Sequence, residues 1–317
     1  MIDLSFIIPC YGSERTITGV CNEIKSKMLE RQEMKYEIIA VNDCSPDNVW
    51  SVLKSLAGKH DNVKCINLAK NGGKHAALMS GLKYASGERC VLLDDDGQCP
   101  LDKLWDLLEP LNNDWDISIA KYKKKRESKF KQFGSKINNI MAIHMINKPK
   151  ELQLSNFVAF KRFIADEILK YDNPFPYIDG LLLRSSSKIY NVQMEQRERT
   201  DGVGNYTFKK SISLFVNGFT AFSVKPLRVA SIAGALSALI GFIFVIYIVT
   251  HKIIYPDVPM GYSSIMATLL IIGGIIMAIL GLIGEYIGRI YICLNNSPQY
   301  VIREKINFDR EKNSAEH

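Results

Sequence analysis

The sequence predicts an α/β domain with a parallel sheet, followed by an interfacial helix and two C-terminal transmembrane helices. Three observations lead to this fold class. Short apolar segments alternate with helical stretches over residues 1–120. Two long stretches near the C-terminus contain no charged residue. The segment before the first of them mixes aromatic residues with lysines, which is typical of a helix lying along a membrane surface.

The sheet is predicted from the apolar segments, because short continuous apolar strands alternating with helices indicate a parallel sheet covered on both faces. The predicted strands are 4–9, 36–43, 63–68, 89–94, 116–120, 156–162 and 188–197, and predicted helices lie near 14–30, 47–58, 74–85, 101–111 and 137–146. Ligands of such sheets bind at the carboxyl ends of the strands. Polar residues worth examining should therefore follow these strands directly.

The membrane prediction rests on length and charge. Residues 229–250 contain no charged side chain, and a helix rising roughly 1.5 Å per residue over this length crosses a hydrocarbon core of ~30 Å. A second uncharged stretch, 263–284, predicts a membrane helix over 263–288. Lysines and arginines gather outside the pair of spans, which places both termini in the cytoplasm. The chain then divides into 1–205 (α/β domain), 206–228 (interfacial helix), 229–250 and 263–288 (membrane helices) and 289–317 (cytoplasmic tail).

Composition adds two constraints. Lys and Arg number 40 against 33 Asp and Glu, a net charge of +7 that fits contact with anionic lipid or phosphate. The 7 cysteines occur singly, without a CxxC pair. Neither a zinc site nor a disulfide framework is therefore predicted, and reduced thiols facing the cytoplasm are expected.

The stretch "VLLDDDGQCP" (91–100) places three carboxylates behind a buried strand. Oxygen ligands are those that Mg²⁺ and Mn²⁺ prefer, and both ions leave positions open for substrate phosphates. Asp94, Asp96 and the amide oxygen of Gln98 are therefore candidate ligands. Acidic residues are also common in turns after strands, so a purely structural turn stays open on this motif alone.

Four segments occur together in one order: "FIIPCYGSE" (6–14), "EIIAVNDCSPD" (37–47), residues 67–100, and "GLIGEYIGRIY" (281–291). In this pattern the chain resembles, over nearly its whole length, the membrane-anchored family 2 glycosyltransferases. These enzymes load a sugar onto a polyprenyl phosphate, as dolichyl-phosphate mannose synthase and the bacterial undecaprenyl-phosphate sugar transferases do. The resemblance implies a GT-A-like, Rossmann-type domain, a nucleotide-sugar donor, a polyprenyl phosphate acceptor, Mg²⁺ or Mn²⁺, and a homo-oligomer, a tetramer in relatives, with no nucleic acid partner.

The resemblance also assigns the donor side. Asp94, Asp96 and Gln98 match the family's Asp-Ala-Asp-Leu-Gln motif and become the metal and diphosphate site, with Asp96 catalytic. Asp95 stands where the family has Ala, so it is not expected to be a ligand and adds negative field.

The nucleotide is assigned to the neighbouring loops. Asp43 matches the acid that recognises the base, Pro9, Tyr11 and Glu14 match the nucleotide-lining segment, and Lys74 lies near the diphosphate. A turn or helix-cap role is the alternative for the residues of these loops.

The acceptor side is assigned to basic segments. The stretch 121–136 matches a family loop that carries arginines, here mostly lysines, and within it Lys131 and Ser135 are the expected phosphate contacts. A solvated charged face is the alternative for this stretch. The resemblance adds three more acceptor-binding residues, Arg197, Arg199 and Tyr206, of which Arg199 is also expected to be catalytic.

One departure concerns the catalytic base. Gln153 stands where the family often has an acid, and an amide cannot take a proton. Asp179 is the nearest remaining candidate for that role.

The predicted reaction is the inverting transfer of one sugar from a nucleotide diphosphate, UDP in preference to GDP, to undecaprenyl phosphate at the cytoplasmic face. The first alternative is a processive polysaccharide synthase, which "QRERT" (196–200) disfavours because it lacks the Gln-x-x-Arg-Trp signature. The second is a degenerate, non-enzymatic membrane protein that binds nucleotide. A fragment ending near Lys225 is expected to keep nucleotide binding and to lose most turnover of the lipid acceptor.

Overall fold

The computed structural model describes residues 1–122, 149, 151–195, 197, 225–255, 261–295 and 297–308. The chain forms two compact units, one of residues 1–211 with 297–317 and one of residues 212–296. The helix expected near 137–146 and the interfacial helix up to residue 224 lie outside the described residues.

The first unit alternates strands and helices, as the apolar pattern predicts. Its strands are β1 (Ile2–Cys10), β2 (Tyr36–Asn42), β3 (Val63–Leu68), β4 (Gly87–Leu92), β5 (Ile117–Tyr122), β6 (Val158–Lys161), β7 (Ile189–Met194) and β8 (Ile302–Ile306). Its helices are α1 (Ile17–Met28), α2 (Val49–Lys59), α3 (Lys74–Lys83), α4 (Leu104–Asn112), α5 (Arg162–Leu169) and α6 (Ile178–Ser185), with short 3₁₀ turns at Leu29–Arg31 and Leu101–Lys103.

Within the described residues, eight strands form one mixed sheet in the order β7-β5-β6-β4-β1-β2-β3-β8, where the sequence predicts a parallel sheet. The central strand β1 is parallel to both β2 and β4, whereas β6 and β8 pair antiparallel to their neighbours. Ile7 pairs with Leu92, and Cys10 pairs with Asn42. This register brings the carboxyl ends of β1, β2 and β4 to one edge, and the loops that follow them meet there.

The hydrophobic core lies on both faces of this sheet. On one face, Phe6 and Ile8 of β1 are fully buried together with Ile17 of α1 and Leu53 of α2. On the other face, Ile7 is fully buried against α3. Complete burial on both sides explains why these strands read as continuous apolar runs in the sequence.

Part of the expected cytoplasmic tail returns to the sheet. Residues Ile302–Ile306 form β8, which pairs antiparallel to β3 with Cys65 opposite Ile306. Asn307 then donates hydrogen bonds from its side-chain amide to the carbonyls of Ala57 (2.8 Å) and Val63 (2.9 Å). The tail predicted over 289–317 is thus an integral edge of the α/β unit in its described part.

The second unit contains two long helices, α7 (Lys225–Ile254) and α8 (Tyr262–Leu294). In the described residues, one segment is long and apolar enough to cross a membrane by length and composition, Ile271–Leu294, with a mean hydropathy of 2.0. The apolar segment found in α7, Gly234–Phe244, is shorter. The two predicted spans coincide with two helices, and their crossing of a membrane stays a prediction.

Candidate active site

The centre of the candidate site is Asp94, which follows β4 directly. The ammonium group of Lys74, the first residue of α3, forms an ion pair with Asp94 Oδ1. Asn156, ahead of β6, donates its side-chain amide to Asp94 Oδ2 at 2.6 Å. Both carboxylate oxygens are therefore engaged, and three separate chain segments meet at this residue.

Lys74 also faces a second carboxylate. Burial lowers the pKa of Lys74, but the charges of Asp94 and Asp179 outweigh it, so the pKa lies above the usual value. Burial raises the pKa of Asp179 to about 6, against the opposing effects of Lys74 and of a hydrogen bond from Tyr177. The ammonium group of Lys74 is thus paired with Asp94 and also interacts with the charge of Asp179.

The position of Asp179 depends on the packing of α3 against α6. The Ile178 amide donates to His75 Nδ1 at 3.4 Å, and the ring of His75 packs edge-on against Tyr177 with 5.1 Å between centroids. Burial and the neighbouring Lys74 lower the pKa of His75 to about 4, so the imidazole is neutral at pH 7. No local pattern indicates this role for His75, because its partner is 103 residues away.

The candidate metal ligands share one tight turn. The backbone amide of Gln98 donates to Asp96 Oδ1 at 3.1 Å, and Asp94 lies two residues before Asp96 in the same turn. Among the described residues, no group of three or more His, Cys, Asp and Glu side chains is arranged to hold an ion. Two carboxylates and an amide oxygen nevertheless suit a hard cation that takes its remaining ligands from substrate phosphates and water.

Asp95 has a different partner from its neighbours. Its Oδ2 accepts the backbone amide of Tyr11 at 3.0 Å. Burial raises the pKa of Asp95 to about 6. Asp95 therefore ties the loop after β4 to the loop after β1, a role that sequence reasoning missed.

Asp43, at the end of β2, braces the turn that precedes Lys74. Its Oδ1 accepts the Gly72 amide at 2.7 Å and its Oδ2 accepts the Gly73 amide at 2.9 Å. Burial raises the pKa of Asp43, and the two amide hydrogen bonds oppose this effect. Gly73 has φ +83°, a left-handed conformation that residues with a Cβ rarely adopt. The turn and the carboxylate thus fix each other.

The loop after β1 contains residues of two kinds. Tyr11 is 55% exposed at the rim of the site. Pro9 is a buried strand residue opposite Val41. Glu14 caps α2, because its Oε2 accepts the Asn48 amide at 3.2 Å. Of the three residues expected to line the nucleotide, Tyr11 is available and the other two have structural roles.

The backbone of Arg197 contacts the acidic turn at Asp94–Gln98. Its amide donates to the carbonyl of Gln98 at 3.3 Å. Its guanidinium forms ion pairs with Glu23 of α1 and with Asp102. The side chain is thus engaged by two carboxylates and is not grouped with Asp94.

The other residues predicted from the sequence are Gln153 and the residues expected to bind the acceptor phosphate. The backbone of Gln153 is bound by the side chain of Asn191. The Gln153 amide donates to Asn191 Oδ1 at 2.8 Å, and Asn191 Nδ2 donates to the Gln153 carbonyl at 2.9 Å. The expected acceptor residues Lys131, Ser135, Arg199 and Tyr206 lie outside the described residues.

The mixed α/β sheet, with carboxylates and a lysine converging at its carboxyl edge, defines a GT-A-like fold. Residues 5–170 match Glycosyl transferase family 2, and residues 225–290 match the GtrB C-terminal hairpin. The chain belongs to glycosyltransferase family 2, which confirms the resemblance read from its motifs.

Curated relatives align with almost the whole chain. The undecaprenyl-phosphate 4-deoxy-4-formamido-L-arabinose transferase of Proteus mirabilis is 28% identical over 99% of this chain and 97% of its own. The bactoprenol glucosyl transferase of Shigella phage SfII is 28% identical over 95% of this chain and 97% of its own.

Solved structures support the fold of the α/β unit. Glucosyl-3-phosphoglycerate synthase from Mycobacterium tuberculosis, in complex with Mn²⁺, UDP and phosphoglyceric acid, has a TM-score of 0.50 and 17% identity. The match covers 68% of this chain and 77% of that one. A second mycobacterial protein has a TM-score of 0.52 and 16% identity, over 70% of this chain and 75% of its own. At these identities the likeness concerns the fold alone.

Proposed function

We propose that this enzyme transfers a single sugar from a UDP-sugar to undecaprenyl phosphate at the cytoplasmic face of the membrane, with inversion at the anomeric carbon. The observation that carries the proposal is the chain of contacts from Asp43, through the Gly72–Gly73 turn, to Lys74 and Asp94. It joins a candidate base-binding residue to a candidate diphosphate site along one sheet edge. Relatives named for transfer to undecaprenyl phosphate or bactoprenol supply the acceptor class.

The base would be read at Asp43. A carboxylate has about four acceptor positions, of which two are used by Gly72 and Gly73. A remaining position can accept the ring N–H of uracil in a charge-assisted hydrogen bond. The exposed ring of Tyr11 lies on the loop next to it in the sheet and offers a face for the base.

The diphosphate would be held between Lys74 and the acidic turn. Asp94, Asp96 and Gln98 are the residues that would hold Mg²⁺ or Mn²⁺, and the Mn²⁺ named with UDP in the mycobacterial synthase supports this choice. Such an ion supplies Lewis-acid screening of the leaving diphosphate. Lys74 would move from Asp94 towards the phosphate oxygens and add a fixed positive charge.

The acceptor phosphate needs positioning more than deprotonation. A phosphate monoester has a second pKa of about 6, so most of it is a dianion at neutral pH. We therefore assign Asp179 to the orientation of Lys74, and Arg199, Lys131, Ser135 and Tyr206 to the acceptor phosphate. Since its guanidinium is already paired twice, Arg197 would anchor the segment that leads to Arg199.

The proposal includes the membrane arrangement. Two spans would hold the α/β unit at the cytoplasmic surface, where the lipid phosphate lies, and copies of the chain would associate as a homo-oligomer. Epitope accessibility in sealed vesicles tests the orientation, and it is contradicted if the two termini lie on opposite sides.

The donor test uses the full-length chain in vesicles. A panel of UDP- and GDP-sugars is supplied with and without undecaprenyl phosphate, and release of the free nucleotide is measured. We expect release of UDP that depends on the lipid acceptor. Release from GDP-sugars alone would show that the donor is a GDP-sugar and not a UDP-sugar. Release that does not depend on the lipid would point to hydrolysis or to another acceptor.

A further inference from the structure

The segment between α8 and β8 contacts the α/β unit through Gln299. The side-chain amide of Gln299 donates to the carbonyl of Tyr171 at 2.6 Å and to that of Asn173 at 2.9 Å. Both carbonyls belong to the loop after α5, which runs on to α6. One side chain therefore fixes a loop that is 126 to 128 residues earlier in the chain.

The same segment also contacts the turn in front of α3. The Ala69 amide donates to the carbonyl of Val301 at 2.8 Å, and Arg303 Nη2 donates to the carbonyl of Ala69 at 3.4 Å. At Gly72, an added Cβ would lie 3.3 Å from the carbonyl oxygen of Gln299 and 2.9 Å from the Cβ of Ala76. The turn is thus enclosed by this segment and by its own helix, with no room for a side chain at Gly72.

Each of the two loops leads into a residue of the candidate site. The turn at 69–73 ends in Lys74 and donates two amides to Asp43. The loop at 171–177 ends at α6, whose first turn carries Asp179. Gln299 lies against both loops, so a shift of Gln299 would displace the supports of all three residues.

We propose that Gln299 is a positioning residue for the nucleotide donor, and that segment 299–303 forms one wall of the donor site. This inference rests on the proposed function only in taking a nucleoside diphosphate to bind along Asp43 and Lys74. The segment follows the membrane hairpin in the chain, so a complete donor site requires the chain beyond the hairpin. A fragment ending near Lys225 then binds the donor more weakly than the full chain, contrary to the expectation from the sequence.

The test measures UDP affinity of the full-length chain in the presence of Mn²⁺, for the wild type, Gln299→Ala and Gln299→Glu. We expect UDP binding about tenfold weaker in both variants, a similar rise in the donor KM, and kcat at saturating donor within about twofold of the wild type. The acceptor KM should not change. A merely structural role would lower kcat and thermal stability without this preference for the donor.

Glu304→Gln is the matched control, because Glu304 lies on β8 and pairs with exposed Lys54 on α2. Its UDP affinity should equal that of the wild type. Equal affinity in Gln299→Ala and the wild type would overturn the inference and leave the proposed function intact. A wild type that binds neither UDP nor GDP would overturn both.

Hydrogen exchange of the wild type gives a second readout that needs no variant. Binding of UDP with Mn²⁺ should slow amide exchange in peptides covering 297–303 together with those covering 69–78. Slower exchange at 69–78 with no change at 297–303 would contradict a donor-site wall in this segment.

Discussion

Lys74 forms an ion pair with Asp94, which ties the first residue of α3 to the end of β4. The pair spans 20 residues of sequence and joins the turn braced by Asp43 to the acidic turn. Because Lys74 faces both Asp94 and Asp179, its charge stays in place without a ligand. The pair holds the ammonium group of Lys74 at the sheet edge where we propose that the donor diphosphate binds.

Replacing Lys74 by Ala should lower kcat/KM for the donor by about 100-fold, because a preorganised positive charge is lost at the diphosphate. Steady-state kinetics with varied donor measures the effect. Lys83→Ala, at the exposed end of the same helix, is the control and should retain full activity. A change of less than threefold in Lys74→Ala would remove Lys74 from the donor site.

Asp96→Asn should abolish turnover while the protein still folds, since changes in surface turns usually alter stability by less than about 0.5 kcal/mol. The measurement is turnover in chelator-washed buffer with Mn²⁺ added back, alongside the melting temperature. Asp106→Asn is the control, because Asp106 lies on the exposed face of α4 and pairs with Lys103. Near-normal activity of Asp96→Asn would exclude a ligand role.

Asp179→Asn separates positioning from base catalysis. The pKa of Asp179 is raised to about 6, so a required Asp179 carboxylate would make the rate rise with pH through about 6. Deprotonation of the acceptor phosphate, whose second pKa is also about 6, makes the rate rise with pH over the same range. We expect Asp179→Asn to lose less than tenfold in rate and to keep this rise with pH. Loss of turnover with donor affinity intact would make Asp179 the base.

Arg199→Ala should weaken acceptor use by at least tenfold, because a cation that positions the attacking phosphate is removed. The acceptor KM and kcat at saturating donor are the quantities to measure. If Arg199→Ala leaves the acceptor KM and kcat unchanged, the acceptor phosphate binds elsewhere, and the basic stretch at 121–136 becomes the better candidate.

Stability should depend on a buried ion pair between Glu37 and Lys64, 2.8 Å apart. Glu37 also accepts the Ser5 hydroxyl at 2.5 Å and the Ser86 amide at 2.6 Å. Burial raises the pKa of Glu37, but these hydrogen bonds and Lys64 outweigh it, so the pKa is lowered on folding. The stabilising contribution is therefore present above the unfolded pKa of about 4.3 and is lost as pH falls through the folded pKa.

Glu37→Gln should then destabilise the protein by about 3 kcal/mol at pH 7, since it removes the carboxylate of a buried ion pair. The difference from the wild type should shrink below pH 4. Thermal unfolding at both pH values measures it, and adding Lys64→Met to Glu37→Gln should restore part of the loss. A Glu37→Gln melting temperature equal to that of the wild type at pH 7 would contradict this role.

Much of the fold follows from the sequence because the central strands are buried on both faces and therefore consist of uninterrupted apolar residues. β8 is different, since "IREKI" is a short edge strand with three exposed charged residues, and only its partner β3 identifies it. A pairing across more than 230 residues leaves no local pattern to detect.

The part of the candidate site that depends on short sequence patterns can be predicted from the sequence. Strand ends point to Asp43 and Asp94 and the glycine turn points to Lys74, and the structure brings these three residues together at one sheet edge. Residue type alone could not say which way a side chain faces. Asp95 holds the Tyr11 loop, and Arg197 pairs with Glu23 and Asp102, because of contacts that only the folded chain brings together.

The most direct test of the central claim is the mass of the lipid product. Full-length protein in vesicles that contain undecaprenyl phosphate is incubated with UDP-sugars and Mn²⁺, and the extracted lipid is weighed by mass spectrometry. The account predicts undecaprenyl phosphate carrying one added sugar, absent with Asp96→Asn. No glycosylated lipid from any UDP-sugar, or a ladder of lipids with several sugars, would contradict it.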